Sequence, residues 1–206
     1  MRLKGLYLVT PDYIDESLFN RTETAIKNGV NILQYRDKSN TFKTRLYVAR
    51  KLKKICTDYG IPFIIDDDPI LMEIVDADGV HIGKDDVPFS YIKEKYPGRI
   101  IGVSTYGSIP DAMEYQKKGA DYVAFGSFFS THTKTDATMC DINILRHLEG
   151  INIPIFVIGG INMDNVVELL KYNISGIAVV SSIYSSPDIA GSVKYYISKL
   201  KEYKKI

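Results

Sequence analysis

The sequence predicts an α/β protein built as a single (β/α)8 TIM barrel over residues 1–206. Three observations predict it. Eight short apolar runs recur from one end of the chain to the other. Most are apolar or β-branched at every position, as strands covered on both faces must be. Amphipathic helical patterns fill the intervals, giving roughly 25 residues per unit, compact for such a barrel. An open, doubly wound sheet is the alternative. It needs fewer strands or a second domain, and neither a linker nor a break in composition divides the chain.

The strands are expected at residues 5–10, 31–36, 62–66, 79–83, 100–104, 121–126, 154–159 and 176–181. Between the second and third, Phe42, Leu46, Ala49, Leu52 and Cys56 share a helical face, with Lys and Arg opposite. Ile189, Val193, Ile197 and Leu200 repeat that spacing near the C-terminus. Gly60, Gly98 and Gly119 stand where helices should stop, and Asn162 or Asp164 can cap the helix that carries Val166, Leu169 and Leu170. The third helix, around Ile70 and Val75, is short, and His147 falls in a helical pattern.

Composition narrows the function classes. A formal net charge of +1 gives no reason to expect nucleic acid or an anionic membrane as partner, so any anion site must be local. Cys56 and Cys140 are the two cysteines, which suits a reducing compartment better than a disulfide scaffold. Cys56 reads as a small buried hydrophobe, and no base is placed beside Cys140 to make it a nucleophile. The first ten residues lack the pattern of a signal peptide, and no apolar run approaches the ~18–20 residues of a membrane span. A cytoplasmic protein with small-molecule substrates is expected; oligomeric state is not set by the sequence.

Active sites of such barrels gather at the C-terminal ends of the strands. Gln34, Arg36 and Lys38 alternate at the second tip, so an amide and two cations project one way and suit a phosphate. The third tip carries Asp66, Asp67 and Asp68, and the fourth carries Lys84, Asp85 and Asp86. Acidic tips on neighbouring strands suit Mg2+, which takes one or two carboxylates together with water and substrate phosphate. The fifth tip ends in Ser104. Gly159-Gly160 and Ser181-Ser182 close the seventh and eighth, where backbone N–H groups can approach a phosphate. The loop over residues 127–141 is long and rich in hydroxyls, and Lys134 with Thr131 and Thr133 can close over an anion. His81 lies inside a strand, where a packed, hydrogen-bonded histidine is expected. Three scattered histidines argue against a His-based metal site of the sugar-phosphate epimerase kind.

Taken in order, the segments beginning Gln34-Tyr35-Arg36-Asp37-Lys38 and Ile65-Asp66-Asp67-Asp68 resemble the motifs of the thiamine phosphate synthases. So do His81-Ile82-Gly83-Lys84-Asp85-Asp86, Val103-Ser104, Thr131-His132-Thr133-Lys134, Ile158-Gly159-Gly160-Ile161 and Val180-Ser181. The resemblance spans Tyr7 to Ser182. It implies a (β/α)8 barrel that joins hydroxymethylpyrimidine diphosphate to a hydroxyethylthiazole phosphate, releasing pyrophosphate with Mg2+. It implies Arg36, Lys38 and Lys134 on the diphosphate and Asp67 and Asp86 on the metal. Gln34 and Ser104 would face the pyrimidine or the leaving group. Thr131, Thr133, Gly160, Val180 and Ser181 would bind the thiazole phosphate. A thiazole tautomerase of the same fold and a non-catalytic binder of a phosphorylated ligand are the alternatives.

Asp66 departs from the family, which usually has Asn there. Like charges ~4 Å apart repel by about 4 kcal/mol at an effective dielectric near 20, so an ionised Asp66 would oppose the diphosphate. It can join Asp67 and Asp86 around the metal, turn toward solvent or a cation, or take up a proton. The first is the favoured expectation.

Overall fold

The computed structural model describes all residues except 1–2, 13–14, 85 and 131–138. Eight parallel strands close into a barrel in sequence order, the last pairing with the first. They are β1 (Gly5–Val9), β2 (Ile32–Tyr35), β3 (Phe63–Asp66), β4 (Gly79–Ile82), β5 (Ile100–Ser104), β6 (Tyr122–Phe125), β7 (Ile155–Ile158) and β8 (Gly176–Val179). Each lies within the range the sequence predicts, trimmed by up to two residues at an end. The trimmed residues flank the ladder, either at its N-terminal entry (Asn31, Pro62, Asp121, Pro154) or at the C-terminal barrel mouth (Thr10, Arg36, Gly83, Gly126, Gly159, Val180, Ser181).

The strands are buried throughout because two cores use their two faces. Outward side chains such as Leu6, Leu8, Leu33, Ile65 and Val103 pack under the helices. Inward ones include Tyr7, Ile32, Ile64, Tyr122, Phe156 and Ala178. Three inward rings fill the barrel edge-to-face, with Tyr7–Phe156 centroids 5.2 Å apart and Tyr122–Phe156 5.5 Å apart. Rings of this size need empty positions opposite. A Cβ on Gly102 would overlap Tyr122, and one on Gly176 would meet the Phe156 ring. Large and small residues thus alternate around the interior, as close packing demands.

The helices are α1 (Ser17–Lys27), α2 (Phe42–Tyr59), α3 (Pro69–Ile74), α4 (Phe89–Lys95), α5 (Ile109–Lys118), α6 (Val166–Leu170), α7 (Ser181–Tyr184) and α8 (Ile189–Glu202). Thr41 caps α2 by accepting from the Thr44 amide, and Gly60 ends it in the left-handed conformation. The buried stripe of α2 is Val48, Ala49, Leu52 and Cys56; Phe42, expected on that face, is 42% exposed because it sits in the first turn, beyond the reach of the barrel. Asn162 rather than Asp164 organises the entry to α6, its Oδ1 accepting from the amides of Asp164 and Asn165.

The sixth unit differs from the others. Between β6 and β7 the described residues hold a 3-10 helix, Ile142–Arg146, and no α-helix. His147, expected within a helix, is the residue that ends it. The segment left after the long loop is too short for a stable α-helix, so Asp141 caps a single tight turn instead.

Candidate active site

A cavity of about 430 Å³ opens at the C-terminal mouth of the barrel. Its lining includes Gln34, Arg36, Lys38, Asp66, Asp67, Asp86, Ser104, Gly160, Val180 and Ser181. Ten residues chosen from six separate strand tips therefore meet in one space. Thr131, Thr133 and Lys134 lie outside the described residues.

The cationic tip is fixed by its own backbone. Thr10 Oγ1 accepts from the Arg36 amide at 2.9 Å and donates to the Arg36 carbonyl at 3.1 Å. Asp37 then turns the chain by accepting from the amides of Ser39 (3.1 Å) and Asn40 (3.0 Å) and from the Tyr35 hydroxyl (2.9 Å). Although burial opposes its charge, these hydrogen bonds hold the Asp37 carboxyl below the usual range. Arg36 and Lys38 project into the mouth beyond the end of β2. Arg36 pairs with Asp12, and Lys38 pairs with Asp67. Burial alone would weaken the Lys38 charge, but Asp67 and Asp66 outweigh it and push its pKa up.

The acidic tips adjoin. The Asp67 amide donates to the His81 carbonyl at 2.8 Å, and Asp67 holds a left-handed backbone with φ 56°. Asp86 Oδ2 accepts from the Gly83 amide at 2.7 Å. Burial raises the Asp86 pKa, and so does the neighbouring Asp67. Two adjoining carboxylates at the cavity wall are hard oxygen donors of the kind Mg2+ takes. Among the described residues no cluster of three His, Cys, Asp or Glu side chains is placed to hold a metal.

Asp66 is turned elsewhere. Its Oδ2 lies 3.4 Å from Lys38 Nζ and 3.7 Å from Arg36 Nε, and its Oδ1 accepts from Gln34 Nε2 at 2.6 Å. Of the three ways to accommodate the substitution, the geometry matches pairing with cations rather than joining Asp67 and Asp86. Burial raises its pKa, and the two cations oppose the rise.

The small-residue tips lie across the mouth. Gly159 and Gly160 have φ 103° and 62°, conformations that suit glycine. A Cβ on Gly160 would strike the carbonyl oxygens of Phe129 and Ser130. Val180 and Ser181 lead from β8 into α7 beside them.

Sequence reasoning missed Tyr7, Tyr106 and Ser127, which also line the cavity. It read His81 as a packed, hydrogen-bonded residue, which it is. Its Nδ1 lies 2.9 Å from the Tyr122 hydroxyl and its Nε2 lies 2.8 Å from Ser104 Oγ. It lines the cavity as well. The available signal was parity. Tyr7, His81 and Tyr122 put polar atoms on the inward face of strands that are otherwise apolar.

The thiamine monophosphate synthase family model matches residues 6–183. The chain belongs to the thiamine monophosphate synthase family. It is 56% identical over 202 residues to a thiamine-phosphate synthase of Picrophilus torridus, covering 98% of this chain and 99% of that one. It is 55% identical to one of Thermoplasma acidophilum over 91% of this chain and 88% of the relative. The thiamine phosphate pyrophosphorylase from Pyrococcus furiosus superposes with a TM-score of 0.88 at 34% identity, covering 97% of this chain and 96% of that structure. The 3-hexulose-6-phosphate synthase structure shares the fold alone (TM-score 0.68, 15% identity, 96% of this chain and 99% of that one).

Proposed function

We propose that this chain, a transferase of thiamine biosynthesis, joins hydroxymethylpyrimidine diphosphate to hydroxyethylthiazole phosphate and releases pyrophosphate. One observation carries the reading. A cationic tip (Arg36, Lys38), a paired-carboxylate tip (Asp67, Asp86) and two small-residue tips (Gly160; Val180 and Ser181) line a single cavity. A diphosphate needs the first two, and a second phosphorylated ligand suits the third.

Loss of pyrophosphate from the benzylic-type carbon builds negative charge on the leaving group. Arg36 and Lys38, with Lys134 from the neighbouring loop, stabilise it as it grows. Asp67 and Asp86 would hold Mg2+, which supplies further charge neutralisation at the leaving oxygens when bound. Gln34 and Ser104 orient the pyrimidine. Thr131, Thr133, Gly160, Val180 and Ser181 hold the thiazole phosphate so that its ring nitrogen meets the cationic carbon. The thiazole nitrogen attacks through its own lone pair, so the step requires no protein base.

No helix among the described residues is long and apolar enough to cross a membrane. Cys56 and Cys140 are unpaired, which suits the cytoplasm.

The test is pyrophosphate release. It should require both precursors and Mg2+. Full turnover in excess chelator would remove the metal from the reading. Binding of thiazole phosphate without pyrophosphate release would favour a tautomerase or a binder.

A further inference from the structure

We propose that Tyr106 is a further binding residue for the diphosphate, its hydroxyl donating to the leaving group at the β4 tip. The proposal rests on the function proposed above and adds a neutral contact to the charged ones. Tyr106 lies two residues beyond β5, lines the cavity and is 46% exposed. A Cβ on Gly83 would lie 2.8 Å from the Tyr106 hydroxyl oxygen and 2.8 Å from Asp86 Oδ2. The phenol and the carboxylate thus converge on one point of the cavity wall, and a glycine at the tip leaves room for both. Asp86 is held to that tip by the Gly83 amide at 2.7 Å.

The backbone that aims the ring is strained. The Ser108 amide donates to the Thr105 carbonyl at 2.8 Å and closes a four-residue turn. Its central residues, Tyr106 and Gly107, have φ 50° and 83°. This is the φ pattern of a type I′ turn, whose first central position favours Asn, Asp or Gly. Tyrosine is disfavoured there because its Cβ crowds the following carbonyl. The surroundings over-determine the turn. The Thr105 amide donates to the Ala124 carbonyl at 3.0 Å, Ser108 Oγ accepts from the Asp111 amide at 3.2 Å, and Cys140 Sγ donates to the Tyr106 carbonyl at 3.2 Å. Packing does not repay the strain, since nearly half of Tyr106 stays in solvent. Strain held in this way clusters where a side chain meets a ligand.

The place of the hydroxyl selects that ligand. The β4 tip adjoins Asp67, which pairs with Lys38, and this is the half of the mouth assigned to the diphosphate. The small-residue tips lie across from it. A hydroxyl rotates, so its proton follows the stronger acceptor, and a diphosphate oxygen is a charged one. When the carbon–oxygen bond to the leaving group breaks, the electron pair stays on that oxygen. The hydrogen bond strengthens as the charge grows, and the phenol keeps its proton throughout.

The experiment compares the parent enzyme with Tyr106→Phe, which keeps the ring and removes the hydroxyl. Calorimetric titration with inorganic pyrophosphate in the presence of Mg2+ should show about tenfold weaker binding to the variant. In turnover, kcat/KM for the pyrimidine diphosphate should fall by a similar factor while KM for the thiazole phosphate is unchanged. Tyr106→Asn, which suits the left-handed turn, should weaken pyrophosphate binding likewise and melt about 2 °C or more above the parent. Unchanged pyrophosphate affinity in Tyr106→Phe overturns the proposal, and so does a raised KM for thiazole phosphate alone. A Tyr106→Asn protein that melts below the parent overturns it as well, because the tyrosine is then kept for packing. If the parent enzyme binds no pyrophosphate, the functional reading fails and this one with it. A parent that binds beside a Tyr106→Phe variant that binds equally well removes Tyr106 alone.

Discussion

Asp37 and Lys38 are neighbours with opposite tasks. Asp37 is buried and fastens the turn; Lys38 lines the cavity, where the proposed diphosphate would lie. The hydrogen bonds from Asn40, Tyr35 and Ser39 hold the Asp37 carboxyl low despite its burial. A lowered carboxyl contributes stability above its unfolded pKa, about 3.9, and loses it as pH falls through the folded value. Asp37→Asn is therefore expected to melt lower than the parent at pH 7, with the gap closing below about pH 4. Thermal melts of both proteins across that range check it; a gap that does not change with pH would assign the effect to packing. Lys38→Ala should act on kcat more than on KM, because the charge it meets grows in the transition state. A loss of about 10²–10³-fold is expected, as for one oxyanion donor. Steady-state kinetics that show only a raised KM would make Lys38 a ground-state contact.

At the scale of elements, the turn after β7 shows how little room the site leaves. Gly160 combines φ 62° with carbonyl oxygens of Phe129 and Ser130 where a side chain would begin. Gly160→Ala must strain the turn by about 1–3 kcal/mol or push the β6 loop aside. Either displaces the small-residue tips, so KM for thiazole phosphate should rise while KM for the pyrimidine diphosphate changes little. Equal changes in both would mean the turn serves the whole mouth. The strands were legible from sequence because burial on both faces leaves an unbroken apolar run. The sixth unit was not, since five residues are too few to show a helical period, and the 3-10 turn at Ile142–Arg146 depends on its Asp141 cap.

Across the whole molecule, closure couples the ends. β1 pairs with β8, and α8 packs against both β1 and α1. No early segment can leave without opening the barrel and exposing the inner core of Tyr7, Tyr122 and Phe156. The single-domain expectation for residues 1–206 thus becomes a measurement. Limited proteolysis under native conditions should release no stably folded fragment, and one that keeps a cooperative melt would divide the chain into separate units.

By itself the sequence determined the eight alternating units, the acidic and basic tips and the small residues that close β7 and β8. These are local properties, carried by period, charge and residue size. Resemblance then joined the tips into one family pattern. What the tertiary structure alone decided is which polar groups face one another. Asp66 is expected with Asp67 and Asp86 because a divalent ion would turn its repulsion of a diphosphate into a bridge, yet the barrel turns it to Arg36, Lys38 and Gln34. A hydrogen-bonded chain from Gln34 through Tyr7, Tyr122 and His81 to Ser104 joins five strands. Hydrogen bonds reach only about 3 Å, so their partners are set by barrel register and by the glycines that let large rings meet, neither of which a linear pattern records.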